Sequence, residues 1–260
     1  MKISVLSSGS SGNAFFIENE KNDKAILVDC GISCKRIEER LSGLKRKPEN
    51  IKGIFITHEH TDHIKGADVF ARKFNVPIFG TKKAMESKFI CKKSDFINNI
   101  KNDETSRIAG LDITAFSKSH LAADPISFSI FEPKQKRTVS IITDAGYACE
   151  NICDNVAESN FLCIESNHDL DMLENGPYPW HLKKWIKSDN GHLSNTQAAC
   201  CVAEHGTKKL KNVILSHISE HNNTTEKALE TFDYMLKQRK DLSPRLDCSL
   251  KFSATPLMRV

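Results

Sequence analysis

Gly53-Ile-Phe-Ile-Thr-His-Glu-His-Thr-Asp-His63 is the stretch on which the reading of this chain turns. Its first half is a short apolar, β-branched run of the kind that forms a strand. Its second half places three imidazoles and a carboxylate close together at His58, His60, Asp62 and His63. Imidazole and carboxylate are preferred ligands of zinc, manganese or iron. A tight turn lets such closely spaced side chains face two neighbouring ions. One histidine alone would be read as an ordinary core or surface residue. This density, after a strand and ahead of a helix, reads as a metal site.

Further ligand-type residues stand at the ends of other β-rich runs. The run 113–118 leads towards His120, 139–143 into Asp144 and 213–216 into His217. A sheet edge that collected these ends would gather the ligands in one cleft. Strands are predicted at 3–6, 14–18, 25–28, 53–57, 113–116, 127–131, 138–143, 161–164 and 212–216. Helices are predicted at 64–74, 195–204 and 225–238, where apolar residues recur at three and four spacing. Ser194 or Asn195 and Thr224 or Thr225 would serve as N-caps. Many strands with interspersed helices define a mixed α/β class.

The chain of 260 residues is long enough to bury a core without staples. It shows no repeat and no Pro/Gly/Ser linker, so one domain over 1–260 is expected. No run approaches the roughly 20 apolar residues of a membrane span, and no export signal is read at the start. The nine cysteines include no C-x-x-C pair, which fits reduced thiols in the cytoplasm and argues against a structural zinc ribbon. A net charge of +4 permits a polyanionic substrate without demonstrating one.

The pattern H-x-H-x-D-H after an apolar strand resembles the signature of the metallo-β-lactamase superfamily. The resemblance covers most of the chain and implies an αββα sandwich: two β-sheets face to face, helices on the outer faces, metals at one edge. It assigns His58, His60 and His120 to a first metal, Asp62, His63 and His217 to a second, and Asp144 to the bridge between them. Asp29, in Leu-Val-Asp-Cys-Gly, resembles a supporting aspartate of the family's early strand. Two divalent ions are implied, Zn²⁺ or Mn²⁺, with iron possible.

An aspartate at 144, where the β-lactamases themselves usually carry cysteine, implies esters of phosphate, thioesters or lactones rather than antibiotics. Gly191-His192-Leu-Ser-Asn resembles the Gly-His-x-Ser segment of superfamily nucleases, which would make His192 a donor to the phosphoryl group or leaving oxygen. The opening Leu6-Ser-Ser-Gly-Ser-Ser-Gly-Asn13, Glu165-Ser-Asn-His168 and Leu215-Ser-His-Ile-Ser resemble the YycJ/WalJ-type bacterial subgroup, associated with 5′ to 3′ exonuclease activity on DNA. His168 and His221 depart from that subgroup, where a tyrosine and a glutamate are expected. The expectation is a phosphodiester hydrolase using a metal-bridging hydroxide, with Asp62 as its proton acceptor, His192 as its donor and nucleic acid, DNA favoured, as substrate. The alternative is hydrolysis of a small cyclic phosphodiester, lactone or thioester on the same metals. Among other residues, His205 reads as a surface or capping group and His181, beside Trp180 and Trp185, as packing. Ser7 to Ser11 read as a turn. Oligomeric state is not legible.

Overall fold

The computed structural model describes residues 1–87 and 89–260. The chain alternates between two compact units. Met1–Ser117, Ala122–Arg137 and Leu250–Val260 form one, and Lys118–Leu121 with Thr138–Ser249 form the other. One domain is what the sequence predicts because no linker marks its composition. Interleaved segments leave no such mark.

In the first unit, β1 (Lys2–Ser7), β2 (Ala14–Asn19) and β3 (Lys24–Val28) form an antiparallel meander. Parallel strands β4 (Ile51–Phe55), β5 (Ile78–Thr81) and β6 (Ile97–Ile100) extend it from β3, and the C-terminal strand Met258–Arg259 pairs with β1. Strand β2 is buried throughout, as a central strand covered on both faces must be. Among the described residues, the α-helices of this unit are α1 (Cys34–Gly43), α2 (Thr61–Ile64), α3 (Ala67–Phe74) and α4 (Lys82–Met85). A second meander, β7 (Thr105–Ile108), β8 (Leu111–Ser117) and β9 (Ile126–Glu132), faces the first sheet. Phe128 of β9 meets Phe55 of β4 edge to face, ring centroids 5.5 Å apart.

The helix predicted at 64–74 is broken into α2 and α3. Gly66 donates its N–H to Cys30 O at 2.7 Å instead of continuing the ladder of α2. A Cβ at Gly66 would lie 2.2 Å from Ile32 O, so the approach of the two segments depends on glycine.

In the second unit, β10 (Arg137–Ile142), β11 (Phe161–Glu165), β12 (Asn212–Ser216) and β13 (Arg245–Cys248) run parallel in that order. Helices α5 (Glu150–Glu158), α6 (Leu170–Asn175), α7 (Trp180–Ile186), α8 (Asn195–His205) and α9 (Thr225–Leu236) connect or flank them. Ser194 and Gln197 cap α8 reciprocally, and Thr224 caps α9. Because the strands are parallel, their carboxyl ends share one edge. The nine predicted strands form as β1 to β4 and β8 to β12, with small shifts at their ends. Among the described residues no helix is long and apolar enough to cross a membrane.

Candidate metal centre

Strand β4 delivers Thr57 and His58 to the edge at which Asp29 leaves the parallel neighbour β3. Asp29 is fully buried and accepts from the Thr57 N–H at 2.9 Å, from the Thr57 hydroxyl and from His63 Nδ1 at 2.7 Å. With its proton on Asp29, the Thr57 hydroxyl can accept from His58 Nδ1, 2.9 Å away. One carboxylate thus fixes two imidazoles, one of them through a hydroxyl, and both then offer Nε2. His58 Nε2 lies 3.0 Å from His60 Nδ1, and His63 Nε2 lies 3.4 Å from Asp62 Oδ2. Asn13, at the far end of the Ser/Gly turn, stands beside both Asp62 Oδ2 (3.3 Å) and His63 Nε2 (3.1 Å). The first unit therefore brings together His58, His60, Asp62 and His63.

The second unit collects His120, Asp144, His192 and His217. Asp144 follows β10, His217 follows β12, and between them β11 ends in Glu165. Glu165 is fully buried and accepts four bonds: His192 Nδ1 at 2.8 Å, His217 Nδ1 at 2.7 Å, and the N–H groups of Ala145 and Leu193. Burial pushes its pKa up, but the two histidines outweigh that and hold the carboxyl at about 2. His120 Nδ1 lies 3.1 Å from the Gly191 carbonyl, and its Nε2 is 4.0 Å from Asp144 Oδ1. Burial lowers the His120 pKa to about 4, more than the nearby Asp144 raises it, so the ring is neutral and able to act as a ligand at neutral pH. Asp144, Glu165, His192 and His217 each place a donor atom within 4.8 Å of the others.

Three of these strand-end residues hold left-handed backbone: Asp29 (φ 58°), Asp144 (φ 54°) and His217 (φ 54°). That conformation is uncommon outside glycine and concentrates where side-chain aim matters more than backbone comfort. Five imidazoles, at 58, 63, 120, 192 and 217, have Nδ1 beside an oxygen, which sets the direction of Nε2. This arrangement, with carboxylate and imidazole as the donor types, fits a divalent cation.

Sequence reading missed Glu165 as a site residue. Its signal was a carboxylate closing the wholly buried run Phe161–Glu165, which is otherwise apolar and has no use for a charge. His181 is exposed on α7 rather than packed; Trp185 instead meets His192 edge to face at 5.5 Å. His205 ends α8 at the surface, as expected of a capping group. His168 is buried, and neither ring nitrogen has a hydrogen-bond partner among the described residues.

These features define a class. A model of the metallo-β-lactamase superfamily matches residues 8–174, and the chain belongs to that superfamily. Its fold is accordingly the α/β fold of that family, an αββα sandwich. Over its whole length the chain is 37% identical to the exodeoxyribonuclease WalJ of Streptococcus pneumoniae, covering 98% of that protein. It is 33% identical to the exodeoxyribonuclease YycJ of Bacillus anthracis, over 92% of the chain and 90% of that protein. The metallo-β-lactamase fold protein YhfI of Bacillus subtilis superposes with a TM-score of 0.73 at 15% identity, covering 98% of both chains.

Proposed function

We propose that this chain is a divalent-metal-dependent phosphodiester hydrolase, a 5′ to 3′ exonuclease on DNA, in which both units act as one catalytic domain. The observation that carries the reading is the set of imidazoles whose Nδ1 each meets an oxygen, which turns Nε2 away from that support. The likeness to two exodeoxyribonucleases over most or all of the chain supports the substrate. His58, His60 and His120 would hold one ion, Asp62, His63 and His217 a second, and Asp144 would bridge them. Zn²⁺ or Mn²⁺ suits this donor set.

When bound, such ions supply a water able to attack at neutral pH and positive charge against the phosphoryl oxygens. The remaining work falls to the chain. Asp62, whose side chain is partly exposed, accepts the proton of the attacking water at Oδ2, where Asn13 orients it. His192 has Nδ1 tied to Glu165, so Nε2 faces away from that carboxylate and donates to the departing oxygen. Trp185, packed edge-on against His192, holds the ring in place and keeps water from its flank.

The test is cleavage of 5′-labelled and 3′-labelled single- and double-stranded DNA and RNA by protein loaded with Mn²⁺ or with Zn²⁺, with Asp62→Ala as control. Metal-dependent release of nucleotides from the 5′ end of DNA, lost in Asp62→Ala, is expected. Intact polymers, with turnover of a cyclic phosphate, lactone or thioester instead, would overturn the nuclease assignment.

A further inference from the structure

A cleft of about 490 Å³ opens in the first unit between α1 and the segment 252–254, lined by Arg36, Glu39, Arg40, Leu44, Phe252 and Ser253 among others. Three features of this cleft fall outside the metal chemistry. Arg40 is half-buried, and its guanidinium is held by two backbone carbonyls, those of Leu6 and Lys251, with no carboxylate bridged to it among the described residues. Burial and the adjacent Arg36 charge both press its pKa down, and Glu39 offsets them only in part. Arg36 itself is exposed, and its guanidinium forms no ion pair among the described residues. Two guanidinium groups lining one concave wall without bridging acids repel each other. An anion between them would relieve that repulsion and receive bidentate hydrogen bonds.

The third feature is Phe252, 80% exposed at the rim of the same cleft, with Lys251 Nζ 4.8 Å from its ring centroid. An isolated surface phenylalanine needs no explanation. A flat aromatic face beside paired guanidinium groups matches a ligand that alternates anion and aromatic ring. Single-stranded nucleic acid is such a ligand, with phosphates for the arginines and bases for the ring.

Hydrogen bonds also tie the wall of the cleft to the turn that precedes the metal-ligand loop. Arg40 grips Leu6 at the end of β1, and the Ser7 hydroxyl donates to Lys251 O. From Ser7 the Ser/Gly turn carries the exposed Ser10 and Ser11 and closes on Asn13, which contacts Asp62 and His63. A strand leaving the cleft along this turn would meet the exposed hydroxyls of Ser10 and Ser11, which suit a phosphate backbone.

We propose that the Arg36–Arg40–Phe252 cleft is a binding track for single-stranded nucleic acid that leads the substrate strand to the metal-ligand loop. This rests on the nuclease reading, and the experiment separates the two. Binding of a fluorescent, cleavage-resistant phosphorothioate oligothymidylate to the metal-loaded protein is followed by anisotropy across a salt series. Arg36→Ala, Phe252→Ala and their combination are compared with Lys101→Ala, which removes an equal charge elsewhere on the same unit. Arg36 and Phe252 are exposed, so thermal unfolding should stay close to wild type in all four. Arg40 is left in place because it ties two backbone segments together.

The combined variant should bind about tenfold or more weakly, as the loss of one stacked base implies. Arg36→Ala should lower the slope of log K against log salt by about 0.7, one phosphate contact. Lys101→Ala should change neither. If wild type cleaves DNA and the combined variant binds the oligonucleotide as tightly as wild type, the track is refuted and the nuclease assignment stands. If wild type neither cleaves nor binds DNA, the nuclease assignment fails and the track falls with it.

Discussion

The two units assemble their candidate ligands by opposite routes. In the first, four of them come from the six residues of one turn, His58 to His63, and a supporting carboxylate, Asp29, arrives from the neighbouring strand. In the second, His120, Asp144 and His217 are spread along the chain, and the parallel strands β10 and β12 bring Asp144 and His217 to a common edge. The supports differ accordingly. Asp29 bonds one imidazole and one threonine that serves a second. Glu165 bonds two imidazoles and two backbone amides, so more of its site depends on a single side chain. Where the turn supplies order locally, the buried acid refines it; where the ligands are remote, the buried acid creates it.

That contrast can be broken by experiment, beginning with the largest effect. Glu165→Gln keeps the shape but places an amide among four donors and removes the anion between two histidines. Stability should fall by about 3 kcal/mol, and metal affinity by about a hundredfold, measured by chemical unfolding and by competition with a chelator. Asp29→Asn should cost less, about tenfold in metal affinity. Asparagine tolerates the left-handed backbone at this position, so the loss would come from the side chain alone. Equal losses in the two variants would remove the distinction drawn between them.

The same contrast explains what the sequence disclosed. The turn was legible because its residues are contiguous. His120, Asp144 and His217 were legible as candidates because each follows a β-rich run. Glu165 was not, since one carboxylate at the end of β11 looks like any strand terminus until the parallel register sets it between Asp144 and His217. The short strands β5, β6, β7 and β13 and the C-terminal strand Met258–Arg259 were missed for a related reason. Each has four residues or fewer, and β6, β7 and β13 carry polar or charged positions where a strand pattern expects apolar ones. Their pairing comes from neighbours already in place. The cut between α2 and α3 was equally invisible, because it depends on a bond from Gly66 to the distant Cys30.

A smaller effect should come from His168. Burial lowers its pKa to about 4 from an ordinary 6.5, so the unfolded chain binds more protons than the folded one between those values. Its share of stability is complete above pH 6.5 and is lost as the pH falls towards 4. His168→Phe, which leaves no buried ring nitrogens without partners, should flatten the stability profile over that interval. At neutral pH it should change stability by no more than about 1 kcal/mol. An acid limb as steep as that of wild type would show that His168 titrates normally in the folded protein.

The central question is whether the two sets of candidate ligands serve one pair of ions. Metal content per chain after equilibrium dialysis against Zn²⁺ or Mn²⁺ tests this most directly, in wild type, His58→Ala and Asp144→Ala. Two ions are expected in wild type and a loss in each variant, including Asp144→Ala, where removal of the bridge would weaken both positions. A wild type that binds a single ion or none, or variants that load as fully as wild type, would contradict a shared pair.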